Sequence, residues 1–136
     1  MEVRIATLED ADDLFFLNAL FENTTTIECL KKSLNENDRE IVCIAFIDGV
    51  PVGFCSGLIV KSMCYSNPRA DIEALFVREE YRCQGIGKAL MQCLEKALIH
   101  CGIYHFHINT FADNINAQSL YKKLGFKRTG EILMDK

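Results

Sequence analysis

The stretch Arg82-Cys83-Gln84-Gly85-Ile86-Gly87 constrains this chain more than any other. A β-branched and aromatic run, Ile72 to Val77, precedes it. A strongly amphipathic run, Ile86 to Cys101, follows it. The pattern predicts a strand, a short glycine-bearing loop and a helix in succession. Such a junction turns unpaired backbone N–H groups and the positive end of a helix dipole toward one point. That arrangement suits an anion, most often a phosphate.

The rest of the chain can be read outward from this junction. Val3 to Ala6 starts a short strand. Thr7-x-x-Asp10 has the spacing of a helix N-cap, and Leu14, Leu17, Leu20 and Phe21 recur at helical intervals. Asn23 to Thr26 should break that helix, and a second runs from Ile27 to Leu34. Ile41 to Ile47 reads as a strand. Asp48-Gly49 is a hairpin signal, and the returning strand spans Val52 to Val60. Ser66-Asn67-Pro68 marks the next turn, before a strand from Asp71 to Val77.

In the following helix Ile86, Ala89, Leu90, Cys93, Leu94, Ala97, Leu98 and Cys101 form one apolar stripe. Gly102 stops it. Ile103 to Thr110 reads as a strand. Asp113 or Asn114 caps a last helix that ends at Gly125, and Phe126 opens a final strand. The order β-α-α-β-β-β-α-β-α-β places hairpins first and a βαβ unit later. It implies an α/β fold with a mixed sheet and helices on its faces, in one domain over residues 1–136.

Composition narrows the class. Hydrophobic residues make up 49% and charged residues 25%, a globular balance. Net charge is −4, and no clustered basic run suggests nucleic acid. No apolar run is long enough to span a bilayer, and Met1-Glu2-Val3-Arg4 does not open a signal peptide. The 7 cysteines form no C-x-x-C pair and are odd in number, so reduced thiols in a cytoplasmic setting are expected.

Two familiar phosphate loops fail at named residues. A dinucleotide fingerprint needs a third glycine where Leu90 stands. A Walker loop needs glycine at Arg82 and a hydroxyl at Ala89. What remains, Arg82-x-x-Gly85-x-Gly87 between strand and helix, resembles the acyl-coenzyme A loop of the GNAT superfamily of N-acetyltransferases. A second stretch, Asn114-x-x-Ala117-x-x-Leu120-Tyr121-x-Lys123-Leu124-Gly125-Phe126, resembles that superfamily's other hallmark. With Glu73 to Val77, the likeness covers residues 71–126. The element order also matches. The resemblance implies a mostly antiparallel sheet of six or seven strands with about four helices. It implies acetyl-CoA as cosubstrate, no metal, and an amine acceptor.

The resemblance also suggests roles. Backbone N–H groups from Cys83 through Gln84, Gly85, Ile86 and Gly87 to Lys88 would hold the pyrophosphate. Arg82 and Lys88 would add charge or simply be solvated. A backbone N–H near Phe76 or Val77 would polarise the thioester carbonyl, in a strand that splays from its neighbour. Tyr121 would protonate the leaving thiolate, or else pack its helix on the sheet. Asn114, with Ala117, would touch the pantetheine arm, or Asn114 would cap the helix.

Glu73 is the candidate base. A strict two-residue alternation places Asp71, Glu73, Leu75 and Val77 on one face, with Ile72, Ala74 and Phe76 on the other. A carboxylate within such an apolar strand must be solvated or used. The Glu73-x-x-x-Val77 spacing resembles a subgroup that acetylates small amines, including aminoglycosides.

Three acceptor-level readings follow: a small-molecule amine, a protein N-terminus or lysine, or a non-catalytic acyl-CoA-binding module. His105 and His107 alternate on one strand face without a complete zinc ligand set. The few residues after Phe126 leave the last strand short, so a homodimer could supply a sheet edge.

Overall fold

A computed structural model describes every residue of the chain except Asn23, so that part of the expected helix break lies outside the described residues. The apolar runs pair into one sheet. Its strands are β1 (Glu2–Ile5), β2 (Glu40–Ile47), β3 (Val50–Val60), β4 (Arg69–Val77) and β5 (Phe106–Ile108). They lie side by side in chain order; only β4 and β5 run parallel. Four α-helices join them: α1 (Ala11–Phe21), α2 (Ile27–Glu36), α3 (Ile86–His100) and α4 (Ile115–Lys123). Asp48 and Gly49 take φ of 50° and 76°, as the tight β2–β3 hairpin requires.

The sheet has five strands among the described residues, not six or seven. The strand expected from Phe126 does not form, and the element order ends at α4. Ile132, Leu133 and Met134 of that segment are exposed. Among the described residues, no sheet edge bonds the segment that Phe126 opens.

Helix α3 packs on one face of the sheet through Ile86, Leu90, Met91, Leu94 and Leu98, all fully buried. They meet Cys43, Ala45, Val52, Cys55, Ala70 and Ile72. Each such side chain contributes roughly 1.5–3 kcal/mol by leaving water. Met91 joins the stripe, whereas Cys101 falls past the helix and is exposed. Leu14 and Leu17 of α1 cover the other face, over Ile44, Phe46 and Phe54.

β4 is not a regular strand. Ser56 pairs with Ala74 and Gly57 with Ile72, so Glu73 has no partner on β3 and forms a bulge. The extra residue shifts the phase. Ile72, Leu75 and Val77 pack toward α3, whereas Ala74 and Phe76 pack toward α1. Strict alternation therefore misplaces Ile72, because it assumes no insertion.

Among the described residues, no helix is long and apolar enough to cross a membrane.

Candidate active site

The site begins where β4 and β5 part. Their pairing consists of Ala70 with Phe106, Asp71 with His107, and Ile72 with Ile108, then stops. From Glu73 to Val77 that edge of β4 is open. The direction of its main-chain groups follows from one bond: Arg78 N–H donates to Val52 O at 2.8 Å. In an antiparallel ladder, directly opposed residues alternate between bonded and unbonded pairs. With Val77 opposite Gly53 and Phe76 opposite Phe54, Phe76 bonds to β3. Leu75 and Val77 then turn their N–H and C=O groups into the opening. Arg82 Nε donating to Val77 O at 2.9 Å agrees with this phase.

The glycine loop sits at the mouth of the opening. Gly85 is the N-cap of α3 with φ 82°, a left-handed conformation open to glycine at no steric cost. Cys83 also takes a positive φ, 63°, which is uncommon outside glycine. The first bond into α3 runs from Ala89 N–H to Gly85 O at 3.0 Å. The N–H groups of Cys83, Gln84, Gly85, Ile86, Gly87 and Lys88 make no bond to a protein acceptor among the described residues. Six donors at a helix N-terminus fit a pyrophosphate.

The side chains divide differently. Ile86 is buried and can offer only its backbone, while Arg82, Cys83, Gln84 and Lys88 are exposed. Arg82 is not merely solvated. Besides its bond to Val77, its guanidinium lies 6.0 Å from the Phe76 ring centre.

Helix α4 closes the α3 side. A Cβ built on Gly87 would stand 3.5 Å from Leu120 Cδ2 and 3.9 Å from Val77 Cγ2. That brings Tyr121's helix, the loop and the end of β4 together. Tyr121 packs against Phe126, ring centres 6.1 Å apart, and burial raises its hydroxyl above the ordinary tyrosine pKa. Asn114 caps α4, its Oδ1 accepting from Ala117 N–H at 3.2 Å. Glu73, lifted out of register by the bulge, is exposed.

Sequence reasoning missed an aromatic cluster opposite α3. Phe21 stands 5.6 Å from Phe76 and 6.0 Å from Phe54, centre to centre. The helical spacing of Phe21 was visible; its position over the opening was not. His105 and His107 meet through their Nε2 atoms at 2.9 Å, and His107 Nδ1 lies 3.9 Å from Asp71. Among the described residues, no group of three or more His, Cys, Asp or Glu side chains is arranged to hold a metal.

Comparison with known proteins agrees with this geometry. A curated relative, aminoglycoside N(6')-acetyltransferase type 1 of Salmonella typhimurium, is 28% identical over 93 residues. The match covers 66% of this chain and 64% of that protein, so the chain spans less than two thirds of the relative's length. Human N-acetyltransferase 8 is 32% identical over 59% of this chain and 35% of its own. The solved structure of AAC(6')-Iy with a CoA-linked bisubstrate analogue superposes with a TM-score of 0.88 at 20% identity, covering 99% of this chain and 96% of that one. A ribosomal-protein-alanine N-acetyltransferase from Brucella melitensis reaches 0.83 at 17% identity, over 100% and 99% of the two chains. These two structures establish the fold. The acetyltransferase (GNAT) family model matches residues 6–126, from the end of β1 through Phe126, and the chain belongs to that family.

Proposed function

We propose that the protein is an acetyl-CoA-dependent N-acetyltransferase acting on the primary amine of a small molecule, by direct attack in a ternary complex. One observation carries the reading. The Val77 N–H turns into the sheet opening, beside the unbonded N–H groups that start α3. A phosphate held by residues 83–88 leaves a thioester within the opening as the natural reach of the same molecule. Acetyl-CoA bound there would supply the acetyl group and a thiolate leaving group.

The chain's own residues do the rest. Val77 N–H meets the charge that develops on the acyl oxygen. Glu73, exposed at the bulge, takes a proton from the acceptor, directly or through water. A free alkylammonium has a pKa of roughly 10, so this step is needed at neutral pH. Tyr121 is kept protonated by its burial and gives its proton to sulfur as the C–S bond breaks and the C–N bond forms. Asn114 holds the start of α4, and its remaining amide hydrogens can bond the pantetheine arm.

The test is a pair of conservative variants. Tyr121→Phe should lower kcat about a hundredfold, and Glu73→Gln by a similar factor, with little change in acetyl-CoA affinity. Unchanged turnover in both would remove these roles.

A further inference from the structure

We propose a second ligand site, at the far end of α3 from the glycine loop, that takes an apolar monocarboxylate such as a medium-chain fatty acid. The sheet has another open edge there. Ala6 N–H donates to Val42 O at 2.8 Å, and β1 pairs with β2 no further. Glu40 and Ile41, at the start of β2, therefore have a strand neighbour on the β3 side alone. Helix α3 covers this end on one face and α2 on the other. A cavity of about 650 Å³ lies between them. At roughly 1.5 Å per residue, Gly85 and Lys96 are about 16 Å apart along α3, so this cavity is separate from the loop.

Its wall is mostly apolar. Ile41 and Cys93 belong to the cluster under α3, and Ala6, Leu34 and Val42 to the cluster under α1. The cavity thus wraps the sheet edge. Ile5, 51% exposed, and Ile99, 44% exposed, stand at its rim. An apolar wall of this extent with a few polar groups is the make-up of small-molecule sites.

Those polar groups select the ligand. Five lining side chains can ionise: Glu40, Lys96, His100 and the thiols of Cys93 and Cys101. At neutral pH free thiols are mainly uncharged. Glu40 is already engaged. Its Oε1 accepts from Ser33 Oγ at 2.9 Å and its Oε2 from Ser56 Oγ at 2.6 Å. Ser33 lies on α2, so this carboxylate is held on α2's side of the sheet. Lys96 and His100 stand exposed on α3, one turn apart on the opposite side. Among the described residues, neither joins an ion pair. Glu36 and Glu95, close by in sequence, do not line the cavity. Cations in a last helical turn also offset the helix dipole, which leaves their hydrogens free. The Lys96 ammonium has three donors and the His100 ring at least one. A carboxylate at the mouth would meet both, with its chain against Ile41, Cys93 and Ala97. An ammonium head would instead face Lys96, and a neutral head would gain no charge pairing.

The experiment compares octanoate, octanol and octylamine by calorimetry, with and without CoA, and locates each by amide chemical shifts in the unmodified protein. Octanoate should saturate below about 1 mM, about tenfold or more tighter than the other two. Its shifts should gather at Ala6, Val42 and Ala97 and persist with CoA. Lys96→Glu, at an exposed position, should keep the thermal melt, weaken octanoate about tenfold and leave octanol within about twofold. No saturable octanoate binding, shifts elsewhere, or loss of binding on adding CoA would overturn the site. Octanol or octylamine binding as tightly, or Lys96→Glu without effect, would overturn the ligand class.

Discussion

Asp10 joins the first strand to the first helix with one carboxylate. It is 5% exposed, and its oxygens accept from both terminal nitrogens of Arg4 at 2.7 Å and from Thr7 N–H at 2.8 Å. The Arg4 hydrogen bonds are the main cause holding its pKa below the ordinary carboxylate range, against the opposing effect of burial. A depressed folded-state pKa contributes stability above the unfolded value, near about 4, which is lost as pH falls through the folded value. Urea unfolding should therefore show stability dropping on acidification below about pH 4, and Asp10→Asn should flatten that drop. At neutral pH the same variant should cost about 2 kcal/mol, because it weakens the cap and leaves the Arg4 guanidinium with a weaker partner. The spacing from Thr7 to Asp10 was legible in the sequence. Arg4 was not, because its approach depends on β1 running past the helix start. Tyr121 divides the same way: its place in a motif was legible, and the burial that raises its pKa was not.

At the scale of elements, close approach matters more than propensity. A Cβ on Gly53 would sit 2.7 Å from Phe76 O and 3.2 Å from a Leu90 methyl. The first contact is with backbone and cannot be relieved by a rotamer change. Gly53→Ala should lower stability by roughly 1–3 kcal/mol in a thermal or urea melt. It should also reduce turnover, because Phe76 precedes the opened end of β4. Glycine inside an apolar strand gives little warning of such a contact. Most strands and helices were legible from periodicity, since each buries one face. Two features were not. The bulge at Glu73 is a property of how β4 pairs with β3, invisible in β4 alone. The strand expected after Phe126 has the right residues and no partner edge in this structure.

For the molecule as a whole, the thiols report the packing. Cys29, Cys64, Cys83 and Cys101 are exposed, Cys43 and Cys55 are buried, and Cys93 is half-buried. Desolvation pushes the Cys93 thiol up to about 12, and a hydrogen bond with Cys55, together with burial, raises Cys43 further. Titration with a disulfide reagent should find four fast thiols in the native protein and all 7 after denaturation. More than four fast thiols would mean that the core beneath α3 opens readily. The parting of β4 from β5 has a counterpart in solvent exchange. Within one strand, Ala74 and Phe76 amides bond β3, whereas Leu75 and Val77 amides face the gap. In the free protein, deuterium should enter Leu75 and Val77 at least about a hundredfold faster than their neighbours. Protection that alternates residue by residue in mid-sheet would mark the open edge of β4 before any acceptor is known, and slower exchange at Val77 on adding acetyl-CoA would support the proposed contact between its amide and the thioester.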